Sequence, residues 1–300
     1  MTTTLETMLA TGSATENVQL GPYTTYKSGG PARYMVVLET REDLHKLVSL
    51  RAELDLPFLI VGRGSNLVVA DEGFDGVAVR LGPGFSTVEV EDGRLVGGGS
   101  APLSLVARTS VESGLGGLEF FVGIPGSVGG AVRQNAGCFG SETRDVLEAA
   151  TVLDLAEASS RSMTPDQLEM SYRHSNVTSD QLVVEAVFRG SPAEPGSGKA
   201  LLREITRWRR DHQPGGTLNA GSVFKNPVHI SAGELIDSIG LKGLSVGDAS
   251  VSAKHANFIV AGPEATSRDI KALVERVKDR VFEESGTMLE PEIQFVGFDQ

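Results

Sequence analysis

The chain has 300 residues and a formal net charge of 27 − 39 = −12 at pH 7. At 40% apolar and 22% charged residues it is not globally disordered, and at about 150 residues per domain its length suggests roughly two domains. The acidic balance argues against a nucleic-acid surface, no apolar run approaches the roughly 18–20 residues of a membrane span, and Met1–Tyr26 lacks the Lys or Arg of a signal or transit peptide.

Residues 1–20 show no periodicity and read as an N-terminal arm. Arg33–Glu39 reads as a strand, Arg41–Leu54 as a helix with Leu44, Leu47, Val48 and Leu54 at helical spacing, and Pro57–Val61 as a buried strand; together they form a β-α-β unit. Short strands follow at Leu67–Val69, Gly76–Leu81, Thr87–Val90 and Arg94–Val96, then a helix at Pro102–Ser113 closed by Gly114, and strands at Ala149–Leu155 and Leu182–Arg189. Gly190–Gly198, with two prolines and three glycines, marks a domain boundary. Beyond it Leu201, Leu202, Ile205 and Trp208 define one helix face. Ser231 and Glu234 form a capping box for a second helix stopped by Gly240. Ser267 is placed as the cap of a third, whose stripe is Ile270, Leu273, Val274, Val277 and Val281 and whose end is Gly286. The pattern is a β-rich, two-lobed region to about residue 190, followed by an α+β domain.

Cys138 is the only cysteine, so no internal disulfide forms, and the five histidines make no metal-ligand spacing. No metal site is expected, and the compartment is expected to be the cytoplasm. Glycine is the outlier, at 36 of 300 residues against about 7% in average proteins. Twelve of the 44 residues from Gly97 to Gly140 are glycine, interleaved with apolar residues unlike a flexible linker. Gly62-Arg63-Gly64-Ser65-Asn66 follows a strand, where main-chain N–H groups can cradle a pyrophosphate. Leu67 breaks the GxGxxG pattern, and a hairpin turn accounts for the segment equally well. In Gly123-Ile124-Pro125-Gly126-Ser127, followed by Gly129, Gly130 and then Asn135-Ala136-Gly137, the glycines suit main chain lying against a flat ligand; a tightly packed core turn is the competing account.

The polar segments are individually weak. Tyr172-Arg173-His174-Ser175 precedes a strand, and an isolated Arg is usually a solvated charge. Ser222, Lys225 and Asn226 lie in GSVFKNP, which is not a GxSxG elbow and gives no support to a hydrolase triad. His255 in SAKHAN is equally readable as a structural histidine, and Glu292 lies in LEPEIQFVG.

Taken in order, VGRGSNLVV, GLGGLEFFVGIPGSVGGAVRQNAGCFG, YRHS, AGSVFKNP, GDASVSAKHANFIV and LEPEI closely resemble the UDP-N-acetylenolpyruvoylglucosamine reductase family over Tyr23 to Gly297. The resemblance implies an α+β, FAD-binding fold of the vanillyl-alcohol-oxidase type. Its parts would be FAD-binding subdomains at 21–82 and 83–190, preceded by the arm and followed by a substrate-binding domain at 195–300. It implies non-covalent FAD, NADPH as reductant and a UDP-sugar enolpyruvate substrate. FAD would be held by Gly62 to Asn66, Gly123 to Ser127, Gly129, Gly130 and Asn135 to Gly137. Arg173, Ser222 and Glu292 match the family's catalytic positions, and Tyr172, Lys225, Asn226 and His255 are carried as substrate contacts.

In the implied chemistry, hydride adds to an enol ether conjugated with a carboxylate. Arg173 would hold the charge that develops there, Glu292 would donate a hydrogen bond, and Ser222 would protonate carbon. Motif spacing leaves no room for the tyrosine-bearing insertion, as in the family's short form, and Val260–Ala265 departs from the usual Asn-rich sequence. A monomeric enzyme of cell-wall synthesis, with no nucleic-acid or membrane partner, is expected. The alternatives are another FAD oxidoreductase of this fold, such as a sugar or aldonolactone oxidase, and a non-catalytic flavin or UDP-sugar binder.

Overall fold

The computed structural model describes residues 2–298. Its contacts divide the chain into two units that are discontinuous in sequence. The first comprises residues 1–17, 33–63 and 76–208, and the second comprises 18–32, 64–75 and 209–300.

The first unit holds two sheets. One runs in the order Ala14–Gln19, Pro31–Leu38, Phe74–Leu81, Phe58–Ile60. The helix Arg41–Glu53 starts at a capping box in which Thr40 accepts from the Asp43 N–H, and it buries Leu47 and Leu50. The two strands of the expected β-α-β unit are not neighbours, because Phe74–Leu81 lies between them and pairs in parallel with Phe58–Ile60. The second sheet is antiparallel, in the order Ser159–Met163, Leu147–Asp154, Gln181–Arg189, Arg94–Gly98, Val88–Glu91. The helices Leu103–Glu112 and Val128–Gln134 belong to the same core through Leu103, Val106, Val128 and Val132. Phe121 meets Phe188 edge-on there, at 5.3 Å between ring centroids. Burying each such ring contributes about 1.5–3 kcal/mol.

Two expectations change. Residues 1–20 are not an arm. A capping box between Thr3 and Glu6 starts the helix Thr4–Thr11, left-handed Gly12 ends it, and Met8 is fully buried in the cluster that also holds Leu47 and Leu50. The boundary expected at 190–198 lies inside the first unit, which runs on to residue 208: Ser191–Pro192 pairs with Leu115–Gly116, and Gly198 is buried against Val111 at the start of the helix Ser197–His212.

In the second unit the helix Ser267–Ser285 buries Ile270, Leu273, Val274, Val277 and Val281, as the stripe predicts. Its cap is Thr266 rather than Ser267. Asp71 accepts the Ser267 N–H at 2.9 Å, and the Ser267 hydroxyl bonds that of Ser28 at 2.9 Å. The helix shares a core with the capped helix Ala232–Ser238, the small sheet Ser245–Val246, Ala249–Val251, Ile259–Ala261, and Tyr26. The Tyr26 hydroxyl donates to the Ile259 carbonyl at 3.2 Å. Gln294–Val296 lies parallel to Leu67–Val69. In the departing segment Val260–Ala265, Asp248 holds the loop by accepting the Glu264 N–H at 3.0 Å. Among the described residues no helix is long and apolar enough to cross a membrane.

Candidate active site

Within the first unit a cavity of about 610 Å³ is lined by Gly62, Arg63, Ser127, Gly129 and Gly130 together with Arg80, Gly82, Gly99, Ser100 and Arg133. Ile60, Val61, Leu81, Leu105, Val177 and Leu182 supply its apolar wall. Three arginines and no acidic residue line it among the described residues, in a chain of net charge −12. That imbalance favours an anionic ligand. Burial lowers the Arg133 pKa from its ordinary value, and its Nη1 donates to the Val177 and Thr178 carbonyls at 2.9 and 2.8 Å. Ser127 caps the helix Val128–Gln134, which brings Gly129 and Gly130 to the wall.

The glycines there serve two purposes. A Cβ on Gly99 would lie 2.2 Å from the Val183 carbonyl oxygen, and one on Gly129 would lie 3.1 Å from that of Gly99, so these allow main chain to pack on main chain. A Cβ on Gly130 would meet nothing nearer than the Ser127 hydroxyl at 3.5 Å, leaving open space at the cavity wall. A large ligand that is anionic at one part and flat and apolar at another, such as FAD, suits this lining.

The other expected cofactor positions lie elsewhere. Gly123 packs on the Cys138 sulfur, and the Gly126 carbonyl accepts the Leu103 N–H at 3.1 Å. Neither they nor Ile124, Pro125, Ala136 and Gly137 line the cavity. Asn135 is completely buried in a left-handed conformation with its amide fully used. Nδ2 donates to Glu142 at 2.7 Å and to the Ser171 carbonyl at 2.8 Å, while Oδ1 accepts the Arg144 N–H at 2.9 Å. Asn135 thus anchors a turn closed by reciprocal Ser171–His174 main-chain bonds. Arg173 sits on this turn with φ +53°, a conformation uncommon for a non-glycine residue and often found at functional sites. Its Nη2 donates to the Gly137 carbonyl at 2.9 Å, and its guanidinium lies 5.0 Å from the ring of half-exposed Tyr172.

Gly64, Ser65 and Asn66 belong to the second unit. Gly64 is left-handed, and a Cβ there would fall 2.0 Å from the Tyr23 carbonyl oxygen. Asn66 holds the Glu292 main chain, its Nδ2 donating to the Glu292 carbonyl at 3.0 Å. The Glu292 N–H donates in turn to the Val223 carbonyl at 2.7 Å, so Glu292 and the segment carrying Ser222 are direct neighbours. Left-handed Gly221 precedes Ser222, and its N–H donates to Asn219 at 3.0 Å.

Lys225 pairs with Glu290 at 2.6 Å, and Asn226 accepts the Ala232 N–H at 3.0 Å. The half-buried His255 ring has its pKa lowered by burial, with smaller contributions from Lys242 and His212, and its Nδ1 accepts the Asn257 N–H at 3.2 Å. Among the described residues no cluster could hold a metal ion. Sequence reasoning missed Arg80, Ser100 and Arg133 on the cavity wall; Arg133 alone had a signal, its place between GIPGSVGGA and Asn135.

Comparison with known proteins agrees with this geometry. The family signature for an FAD binding domain matches residues 32–160, and that for the C-terminal domain of UDP-N-acetylenolpyruvoylglucosamine reductase matches residues 213–296. The chain is 39% identical over 281 residues to the UDP-N-acetylenolpyruvoylglucosamine reductase of Caulobacter vibrioides, covering 93% of each protein. It is 42% identical over 283 residues to that of Rhodopseudomonas palustris strain BisB5, covering 94% of this chain and 90% of the relative. The crystal structure of UDP-N-acetylenolpyruvylglucosamine reductase from Thermus caldophilus matches with a TM-score of 0.81 at 37% identity, over 94% of this chain and 98% of the other.

Proposed function

Because the chain belongs to the UDP-N-acetylenolpyruvoylglucosamine reductase family, we propose that it reduces UDP-N-acetylglucosamine enolpyruvate to UDP-N-acetylmuramate with NADPH and FAD. The observation that carries this reading is the direct main-chain bond between Glu292 and Val223, the residue after Ser222. It makes neighbours of two residues 70 positions apart that the family pattern pairs in chemistry.

FAD, when bound, supplies the hydride for the terminal carbon of the enol ether. Arg63, Arg80 and Arg133 would balance the diphosphate, while the main chain at Gly62, Ser127, Gly129 and Gly130 would lie against the cofactor. Arg173 holds the substrate carboxylate as charge spreads into it, because a guanidinium stays ionised and binds both oxygens. Glu292, when protonated, donates a further hydrogen bond to that carboxylate. The Ser222 hydroxyl delivers the proton to the adjacent carbon. Tyr172, Lys225, Asn226 and His255 contact the remainder of the substrate.

The reading extends to a cytoplasmic, monomeric enzyme of peptidoglycan precursor synthesis, and through it to cell shape and division. FAD-binding subdomains at 21–82 and 83–190 are part of the same proposal. Its test is incubation of the FAD-loaded protein with NADPH, with and without the enolpyruvyl substrate, both anaerobically and in air. One UDP-N-acetylmuramate should form for each NADPH oxidised, and NADPH oxidation that depends on oxygen rather than on this substrate would overturn the proposal.

A further inference from the structure

The main chain just after Ser222, at Val223 and Phe224, is held mostly by one residue outside the expected site. Asn257 is 3% exposed and lies 33 residues from the segment it grips. Its Oδ1 accepts the Phe224 N–H at 2.9 Å, its Nδ2 donates to the Phe224 carbonyl at 2.8 Å, and its own carbonyl accepts the Val223 N–H at 2.9 Å. With the Glu292 N–H on the Val223 carbonyl, all four main-chain polar groups of Val223 and Phe224 are satisfied. Three of those four bonds come from Asn257.

This segment is not part of a regular strand. The Asn257 side-chain amide takes the place of a neighbouring peptide group, with one donor and one acceptor at the right spacing. The Ser222 hydroxyl itself makes no hydrogen bond to the protein among the described residues. A fixed main chain carrying an uncommitted hydroxyl is the arrangement a pre-organised proton donor requires.

We infer that Asn257 is a positioning residue for Ser222, holding the Val223–Phe224 main chain so that the serine hydroxyl is set for proton delivery to substrate carbon. The inference rests on the proposed function. No side chain of similar size reproduces the clamp. A carboxylate accepts from the Phe224 N–H but cannot donate to the Phe224 carbonyl, and alanine leaves both groups unpaired in a buried place.

The test uses FAD-loaded wild type, Asn257→Ala, Asn257→Asp, Ser222→Ala and the Ser222→Ala/Asn257→Ala double variant. Flavin content, thermal midpoint and the two anaerobic half-reactions are measured for each. Both Asn257 variants should keep FAD and be reduced by NADPH within about twofold of wild type, while reoxidation by substrate slows roughly 10–100-fold, as when a supporting shell is removed. The decisive reading is non-additivity: the double variant should be reoxidised no more slowly than Ser222→Ala alone, because Asn257 acts only through that hydroxyl. Multiplying effects, or equal slowing of both half-reactions, overturns the inference. Should Asn257→Ala not fold, the nearly isosteric Asn257→Asp, alone and with Ser222→Ala, carries the same comparison. A Ser222→Ala variant that is itself reoxidised at the wild-type rate removes Ser222 from the proposed function, and this inference with it, and is read separately from any result at Asn257.

Discussion

The side-chain amide of Asn66 donates to the main-chain oxygen of Glu292 at 3.0 Å, and the Asn66 carbonyl accepts the Gln294 N–H at 2.9 Å. The last residue of GRGSN therefore fixes the segment from Glu292 into the strand Gln294–Val296. Asn66→Ala leaves that carbonyl unpaired, a loss of about 1–3 kcal/mol. In FAD-stripped protein the variant should unfold at lower temperature, while FAD affinity measured by fluorescence quenching stays near wild type. Weakened FAD binding with unchanged stability would return Asn66 to the cofactor.

Gly130 and Gly64 should respond oppositely to a side chain. Gly130 is helical, with open space before it. Gly130→Leu should leave the FAD-free protein as stable as wild type or more so, by up to about 1 kcal/mol from helix propensity, yet reduce bound FAD. Gly64→Ala forces a left-handed alanine against the Tyr23 carbonyl and should lower the thermal midpoint by the equivalent of at least about 1–2 kcal/mol. FAD content read from the visible spectrum, alongside calorimetry, checks both. A Gly130→Leu protein that purifies with full FAD would remove the cavity assignment.

Arg173→Lys keeps the charge and loses the planar fork. Turnover should fall by more than KM rises, since in the proposed role the guanidinium holds charge that forms mainly in the transition state. An unchanged turnover number would make Arg173 a surface cation stacked on Tyr172.

Burial pushes the Asp43 carboxyl up, but hydrogen bonds from Lys46, Thr40 and the Glu39 N–H outweigh it and hold the pKa at about 2, below the ordinary 3.8. The folded pKa is the lower one, so this stabilisation is complete above about pH 4 and is lost as pH falls towards 2. Asp43→Asn should therefore be less stable than wild type at pH 7, with the difference closing below pH 4. Thermal melts of both proteins across that range test it, and a constant difference would contradict it.

Much of the architecture is visible in periodicity and punctuation. The stripe from Ile270 to Val281 and the stop at Gly286 are where the pattern puts them. The N-terminal helix was missed, although Thr3-x-x-Glu6 and Gly12 bracket Leu5, Met8 and Leu9, because its single short apolar patch shows no repeat. Most of the cavity wall was not legible. Arg80 and Arg133 read as ordinary charges until the fold turns them onto one space. Asn257 is beyond reach of any local pattern, because its meaning lies in a carbonyl 33 residues away.

The central claim is that Ser222 delivers a proton to substrate carbon, and its most direct test is the flavin absorbance of Ser222→Ala in anaerobic stopped flow. Reduction by NADPH needs no serine hydroxyl and should match wild type. Reoxidation by the enolpyruvyl substrate should slow by about 10²–10⁴-fold, the usual contribution of a positioned proton donor. Equal slowing of both half-reactions, or of neither, would contradict it.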